Sequence, residues 1–115
     1  MAWADSRSYC QSIGSDLATW GMRNASIRNW IIENLLRPRP DNGYWIGLSD
    51  IEQEGVWKYV DGVAMTTNNT DFAGGEPNNG SPDQDCAQLW WEMNYQMDDH
   101  VCAENLFAIC ERTLN

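Results

Sequence analysis

The chain has 115 residues, 43% of them hydrophobic and seven of them tryptophan, and a formal net charge of −10. That length fits one domain, expected to span residues 1–115, with aromatic area enough for a real core. The acidity excludes a nucleic-acid binder, whose phosphate contacts need a basic patch, and no run of about 20 apolar residues is present to insert in a membrane.

Met1 leads straight into Ala2-Trp3-Ala4-Asp5, which lacks a leader pattern and reads as the start of a mature or excised domain. Residues 4–13 have no helix breaker before Gly14 and read as a first helix. Asp16-Leu17-Ala18 then turns the chain. A second helix is expected from Asn24, as cap, to Leu36, because Ile27, Trp30, Ile31 and Leu35 recur at three- and four-residue spacing. That stripe reads as core packing, and Pro38 and Pro40 end the helix.

Asp41-Asn42-Gly43 is a turn signal, and residues 44–48 read as a buried strand. Residues 56–60 alternate around Trp57 and Tyr59 as a second strand, closed by Asp61-Gly62. Regular patterning then stops from Val63 to Asp85, a stretch rich in Asn, Thr, Gly and Pro. A loop this long in a compact domain is usually functional or disordered. A bound cation would supply ordering energy that its composition lacks. Further strands are expected over residues 87–91, 95–97 and 106–111, with Trp90 and Trp91 split between core and surface. Helices and strands are segregated, so the fold class is α+β: two helices packed on small antiparallel sheets, with one long loop.

Four cysteines in a short acidic chain read as two disulfides and an oxidising, extracellular compartment. Sequence alone leaves three pairings open. No C-x₂-C pair exists, which discounts a zinc site. Three tripeptides match the N-glycosylation acceptor, at Asn24, Asn68 and Asn79. Use of Asn79 is not expected, since a glycan there would obstruct the site described next.

The stretch from Gly75 to Cys102 holds Glu76, Asn78, Gln84, Asp85, Asp98 and Asp99, all bearing the hard oxygen donors that suit Ca²⁺. A cis Glu76–Pro77 peptide would turn the Glu76 and Asn78 side chains to one point. A crosslink between Cys86 and Cys102 would draw Asp98-Asp99 back beside Gln84-Asp85.

With these marks the chain resembles the C-type lectin domains. The likeness lies in Trp45-Ile46-Gly47-Leu48, in Glu54-Gly55 followed by Trp57, and in Gly75-Glu76-Pro77-Asn78. Asp85-Cys86 and the terminal Ile109-Cys110-Glu111 complete it. The resemblance implies the C-type lectin-like fold with disulfides Cys10–Cys110 and Cys86–Cys102. It implies a principal Ca²⁺ site of Glu76, Asn78, Gln84, Asp98 and Asp99. Gln84 stands where the family has Glu, Asp98 where it has Asn, and Met97 where it has Trp. The site still keeps three carboxylates, as in the family pattern, which favours calcium. The resemblance further suggests an auxiliary Ca²⁺ site of Asp50, Glu54, Asn79 and Asp85.

Sugar binding would follow from the ion, which can accept two neighbouring hydroxyls while its side-chain ligands hydrogen-bond them. Glu76, Asn78, Gln84 and Asp98 are the implied carbohydrate contacts, Glu76 accepting and Asn78 donating. The Glu-Pro-Asn triplet accompanies mannose-, glucose-, GlcNAc- or fucose-type sugars in the family. Partners would be glycans or cell-surface polysaccharides, and weak single sites would favour a homo-oligomer or a multidomain parent. Two other classes compete. One is a calcium-independent protein-binding or ice-binding module on the same fold. The other is a glycosidase using a pair such as Glu92 and Asp98. The lone His100 reads as a solvent-facing loop residue without a nucleophile nearby.

Overall fold

The computed structural model describes residues 1–74 and 84–112. Helix α1 (Trp3–Ser12) buries Trp3, Ser6 and Cys10 on one face, and Gly14 leaves it at φ +80°, where only glycine is unstrained. Strand β1 (Asp16–Leu17) follows where a turn was expected, pairing antiparallel with β7 (Cys110–Glu111). The larger sheet runs β3 (Lys58–Tyr59), β2 (Gly43–Ser49), β4 (Cys86–Trp90), β5 (Gln96–His100), and β6 (Phe107–Ala108) lies parallel to β2. Residues 43–48 are all buried, because both faces of the central strand are covered and a continuous apolar run is what such a position requires.

The C-terminal strand expected over 106–111 is broken at Ile109. Its carbonyl accepts from Ala18 and its N–H donates to Trp45, so this one residue passes the chain from the larger sheet to the smaller. Glu111 then closes the smaller sheet onto a short helix, α2 (Trp20–Arg23), that sequence patterning missed. Its carboxylate accepts from the N–H groups of Trp20 at 2.9 Å and Gly21 at 2.7 Å, and from Thr19 Oγ1 at 3.0 Å. A distant acid caps the helix, so no local signal announced it.

The second predicted helix forms, but with a different buried face. It comprises α3 (Ala25–Ile31), capped by Asn24 Oδ1 accepting from Ile27 N–H, and a π-helical turn over Ile32–Leu36. Trp30 and Leu35 are exposed, and the buried positions are Arg28, Ile32 and Leu36. Arg28 takes the inner face because its Nη1 donates to the Met22 carbonyl at 2.6 Å. That one bond accompanies burial of the guanidinium where spacing alone nominated Trp30, although its Nε has no partner among the described residues.

Both disulfides have the expected partners, Cys10–Cys110 and Cys86–Cys102. They close loops of 100 and 16 residues, for which the chain-entropy model gives about 4.7 and about 3 kcal/mol. Among the described residues no helix is long and apolar enough to cross a membrane.

The first half of the long loop is tied to the core. Phe72 packs edge-on to Trp57, the Ala73 N–H donates to the Met97 carbonyl and the Met97 N–H to the Asp71 carbonyl, and the Tyr59 hydroxyl donates to the Asn69 carbonyl. Gly47 gives a test of how tightly the two sheets meet. A Cβ there would lie 2.6 Å from Thr19 Cγ2 and 2.9 Å from the Leu17 carbonyl oxygen. Gly47→Ala should cost about 1–3 kcal/mol as overpacking, read as a lowered urea midpoint with unchanged m-value. An unchanged midpoint would show that β1 yields freely.

Candidate cation and glycan site

Two pieces of backbone geometry assemble the site. Ser49 of β2 faces Cys86 of β4, and the next N–H, that of Asp50, donates to the Asp85 carbonyl at 2.9 Å. The end of β2 is thereby laid against the residues entering β4. On the other side, β4 pairs β5 in the register Cys86↔His100, Gln88↔Asp98, Trp90↔Gln96.

The first junction gathers three carboxylates. Oxygens of Asp50, Glu54 and Asp85 all lie within 4.8 Å of one another. Asp50 is 1% exposed. Its Oδ2 accepts from the Gly55 N–H at 2.9 Å, and its Oδ1 has no hydrogen-bond partner among the described residues. Burial pushes the Asp50 carboxyl above the usual carboxylate range. The Gly55 N–H opposes that rise, and the adjoining Asp85 carboxylate adds to it. Acids held together at such distances repel, and a divalent ion between them reverses the sign of the interaction. The donor set, oxygen throughout and with one buried atom unsatisfied, fits Ca²⁺. Three of the four expected auxiliary ligands are therefore together. The fourth, Asn79, lies outside the described residues.

At the second junction, Asp98 and Asp99 are both buried. Gln88 Nε2 donates to Asp98 Oδ2 at 2.9 Å, a bond buried in the sheet. Gln84 stands two residues ahead of β4, and its Oε1 is buried with no partner among the described residues. Glu76 and Asn78, with the Glu76–Pro77 peptide, lie outside the described residues. Gln88 is the residue that sequence patterning passed over. One signal was available: an amide inside the apolar run Ala87-Gln88-Leu89, at a strand position that is buried.

Two aromatic expectations are corrected. His100 belongs to β5 and is half-buried, its ring 6.4 Å from Trp90 in a stacked arrangement and 6.2 Å from Trp45. Strand pairing with Cys86 lifts it out of the loop it was assigned to. Neither Trp90 nor Trp91 is in the core, since Trp90 is half-buried and Trp91 is exposed on the turn after β4. Two wide grooves, about 670 Å³ beside Trp20 and about 690 Å³ beside Tyr9, have none of Asp50, Glu54, Gln84, Asp85, Asp98 and Asp99 among the described residues of their walls.

The lectin C-type domain family matches residues 1–112. The chain belongs to that family. As a C-type lectin domain it falls in a lectin family and not an enzymatic one, which removes the glycosidase alternative. It is similar to hepatic lectin of Gallus gallus, with 32% identity over 99% of this chain and 51% of that protein. The C-type lectin domain thus spans about half the length of that relative. It is also similar to a lectin of Polyandrocarpa misakiensis, with 31% identity over 100% of this chain and 90% of that protein. Among solved structures, the mouse scavenger receptor C-type lectin carbohydrate-recognition domain superposes with a TM-score of 0.81 at 30% identity. That match covers 99% of this chain and 84% of the mouse chain.

The Asp50 environment sets a pH dependence in the metal-free lectin domain. A carboxyl whose pKa is raised by folding binds its proton more tightly in the native state. Stability therefore falls as pH climbs from the ordinary carboxyl value of about 4 through the raised one. Asp50→Asn removes that charge and can donate to Asp85. In EDTA at neutral pH it should raise the unfolding free energy and flatten the decline. Superimposable pH profiles for the two proteins would contradict the assignment.

Proposed function

We propose that this C-type lectin domain binds carbohydrate in a calcium-dependent way, through coordination of vicinal sugar hydroxyls. The observation that carries the proposal is the Asp50, Glu54 and Asp85 carboxylate cluster, with its buried unsatisfied oxygen, at the entry to β4, whose partner strand β5 bears Asp98 and Asp99. Asp50, Glu54, Asn79 and Asp85 would hold an auxiliary ion. Glu76, Asn78, Gln84, Asp98 and Asp99 would hold the principal one. The sequence Glu76-Pro77-Asn78 supports mannose-, glucose-, GlcNAc- or fucose-type sugars, with Glu76, Asn78, Gln84 and Asp98 as the side chains meeting the hydroxyls.

What the domain's own residues contribute is preorganisation. The β4–β5 register and the Cys86–Cys102 crosslink hold the segments that carry Asp85, Asp98 and Asp99 side by side, which supports this reading. Less ordering entropy then remains to be lost on binding. Calcium supplies the charge that lets these acids stand together and the open positions at which hydroxyls exchange with water. The two disulfides suit an extracellular or cell-surface setting. Glycans or cell-surface polysaccharides are the partners. A single exposed site binds weakly, so useful avidity would come from a homo-oligomer or from further domains.

Chromatography on immobilised mannose tests this. The domain should be retained in millimolar CaCl₂ and released by EDTA. Retention indifferent to chelator would point to the calcium-independent module instead, and passage through mannose, GlcNAc and fucose resins alike would contradict the sugar class.

A further inference from the structure

We infer that Gln88 is a positioning residue for the principal calcium site, acting through Asp98, and that Gly43 makes the space in which it does so. The inference rests on the calcium reading above and deepens it.

Gln88 lies in the middle of β4 and is 1% exposed. The ladder sets it directly opposite Asp98, so their side chains share one face of the sheet. The carboxylate only accepts, so the amide must present its NH₂ to it, and Nε2 does so at 2.9 Å. The opposite amide orientation would set two acceptors against each other. With Nε2 thus committed, the carbonyl end Oε1 points away and has no partner among the described residues. That end sits where residue 43 would carry a side chain: a Cβ on Gly43 would be 2.1 Å from Gln88 Oε1. Gly43 is buried at the start of β2, with Trp90 and Leu106 also closing around it.

The molecule therefore accepts a buried, unsatisfied carbonyl oxygen, which costs free energy, in order to point an amide donor at one acid. A neutral apolar residue would fill the same strand position without that cost. What the amide provides is a fixed plane for the Asp98 carboxylate. Partners that hold a metal ligand in this way commonly govern metal affinity by roughly 10–100-fold.

Calorimetric titration with CaCl₂ of the wild type, Gln88→Met and Gly43→Ala tests the inference. Melting each protein in EDTA reports any purely structural effect. Gln88→Met keeps the volume and removes the donor. Its calcium affinity should fall roughly 10–100-fold, measured at a temperature where the EDTA melt shows it folded. Gly43→Ala keeps Gln88 but displaces its amide, and should weaken calcium in the same direction. The wild-type side-chain NH₂ signals of Gln88, followed by ¹⁵N NMR, should shift along the same CaCl₂ titration. That measurement needs no variant to fold. Wild-type affinity in Gln88→Met, or Gln88 signals unmoved through saturation, would overturn the inference while leaving the calcium reading intact. A wild type that binds no calcium would overturn both.

Discussion

The antiparallel register of β4 on β5, closed at one end by the Cys86–Cys102 disulfide, is the constraint on which the rest depends. It sets Gln88 against Asp98 and Ala87 against Asp99, while the pairing of β4 with β2 on its other side lays Asp50 against the segment leading into Cys86. A slip of one residue would turn each of these side chains to the opposite face of the sheet. The register is protected because Leu89 and Met97, paired in the same ladder, are fully buried. Packing thus fixes the positions of groups that packing alone would expel from the interior.

Those groups are largely carboxylates. In a chain of net charge −10, the fold brings together Asp50, Glu54 and Asp85 and buries Asp98 and Asp99 nearby. Among the described residues, three of the six arginines pair with acids elsewhere: Arg7 with Asp16, Arg23 with Asp61 and Arg37 with Glu33. Salt bridges of this exposed kind contribute little, and none of these reaches the acidic junction. Burial raises the pKa of Asp50, and the adjoining Asp85 carboxylate adds to the rise. A divalent cation is the economical resolution, since one ion answers several carboxylates together.

Much of this was legible in the sequence. The central strand over residues 44–48, the burial of Trp57 and Tyr59 and the α+β class follow from periodicity and composition. Both disulfides and the grouping of Asp50, Glu54 and Asp85 followed from the family resemblance. The failures share a physical cause, which is long-range hydrogen bonding. Arg28 displaced Trp30 from the inner helix face through the Met22 carbonyl. Glu111 caps a helix some 90 residues away in sequence. Ile109 divided a strand between two sheets, and β5 took His100 from the loop. Gln88 escaped notice because a lone amide in an apolar run has no meaning until the residue opposite is known.

Completion of the acidic junction by a cation is best checked by thermal melting. A ligand that binds the native site and not the unfolded chain must stabilise the fold by mass action, by about 2.7 kcal/mol at 100 times its dissociation constant. Melting followed by circular dichroism in millimolar CaCl₂ and in EDTA should show a higher transition with calcium. The rise should scale with the logarithm of calcium concentration, while MgCl₂, which resists irregular oxygen sites, should give little. Coincident melting curves in calcium and EDTA would contradict the account.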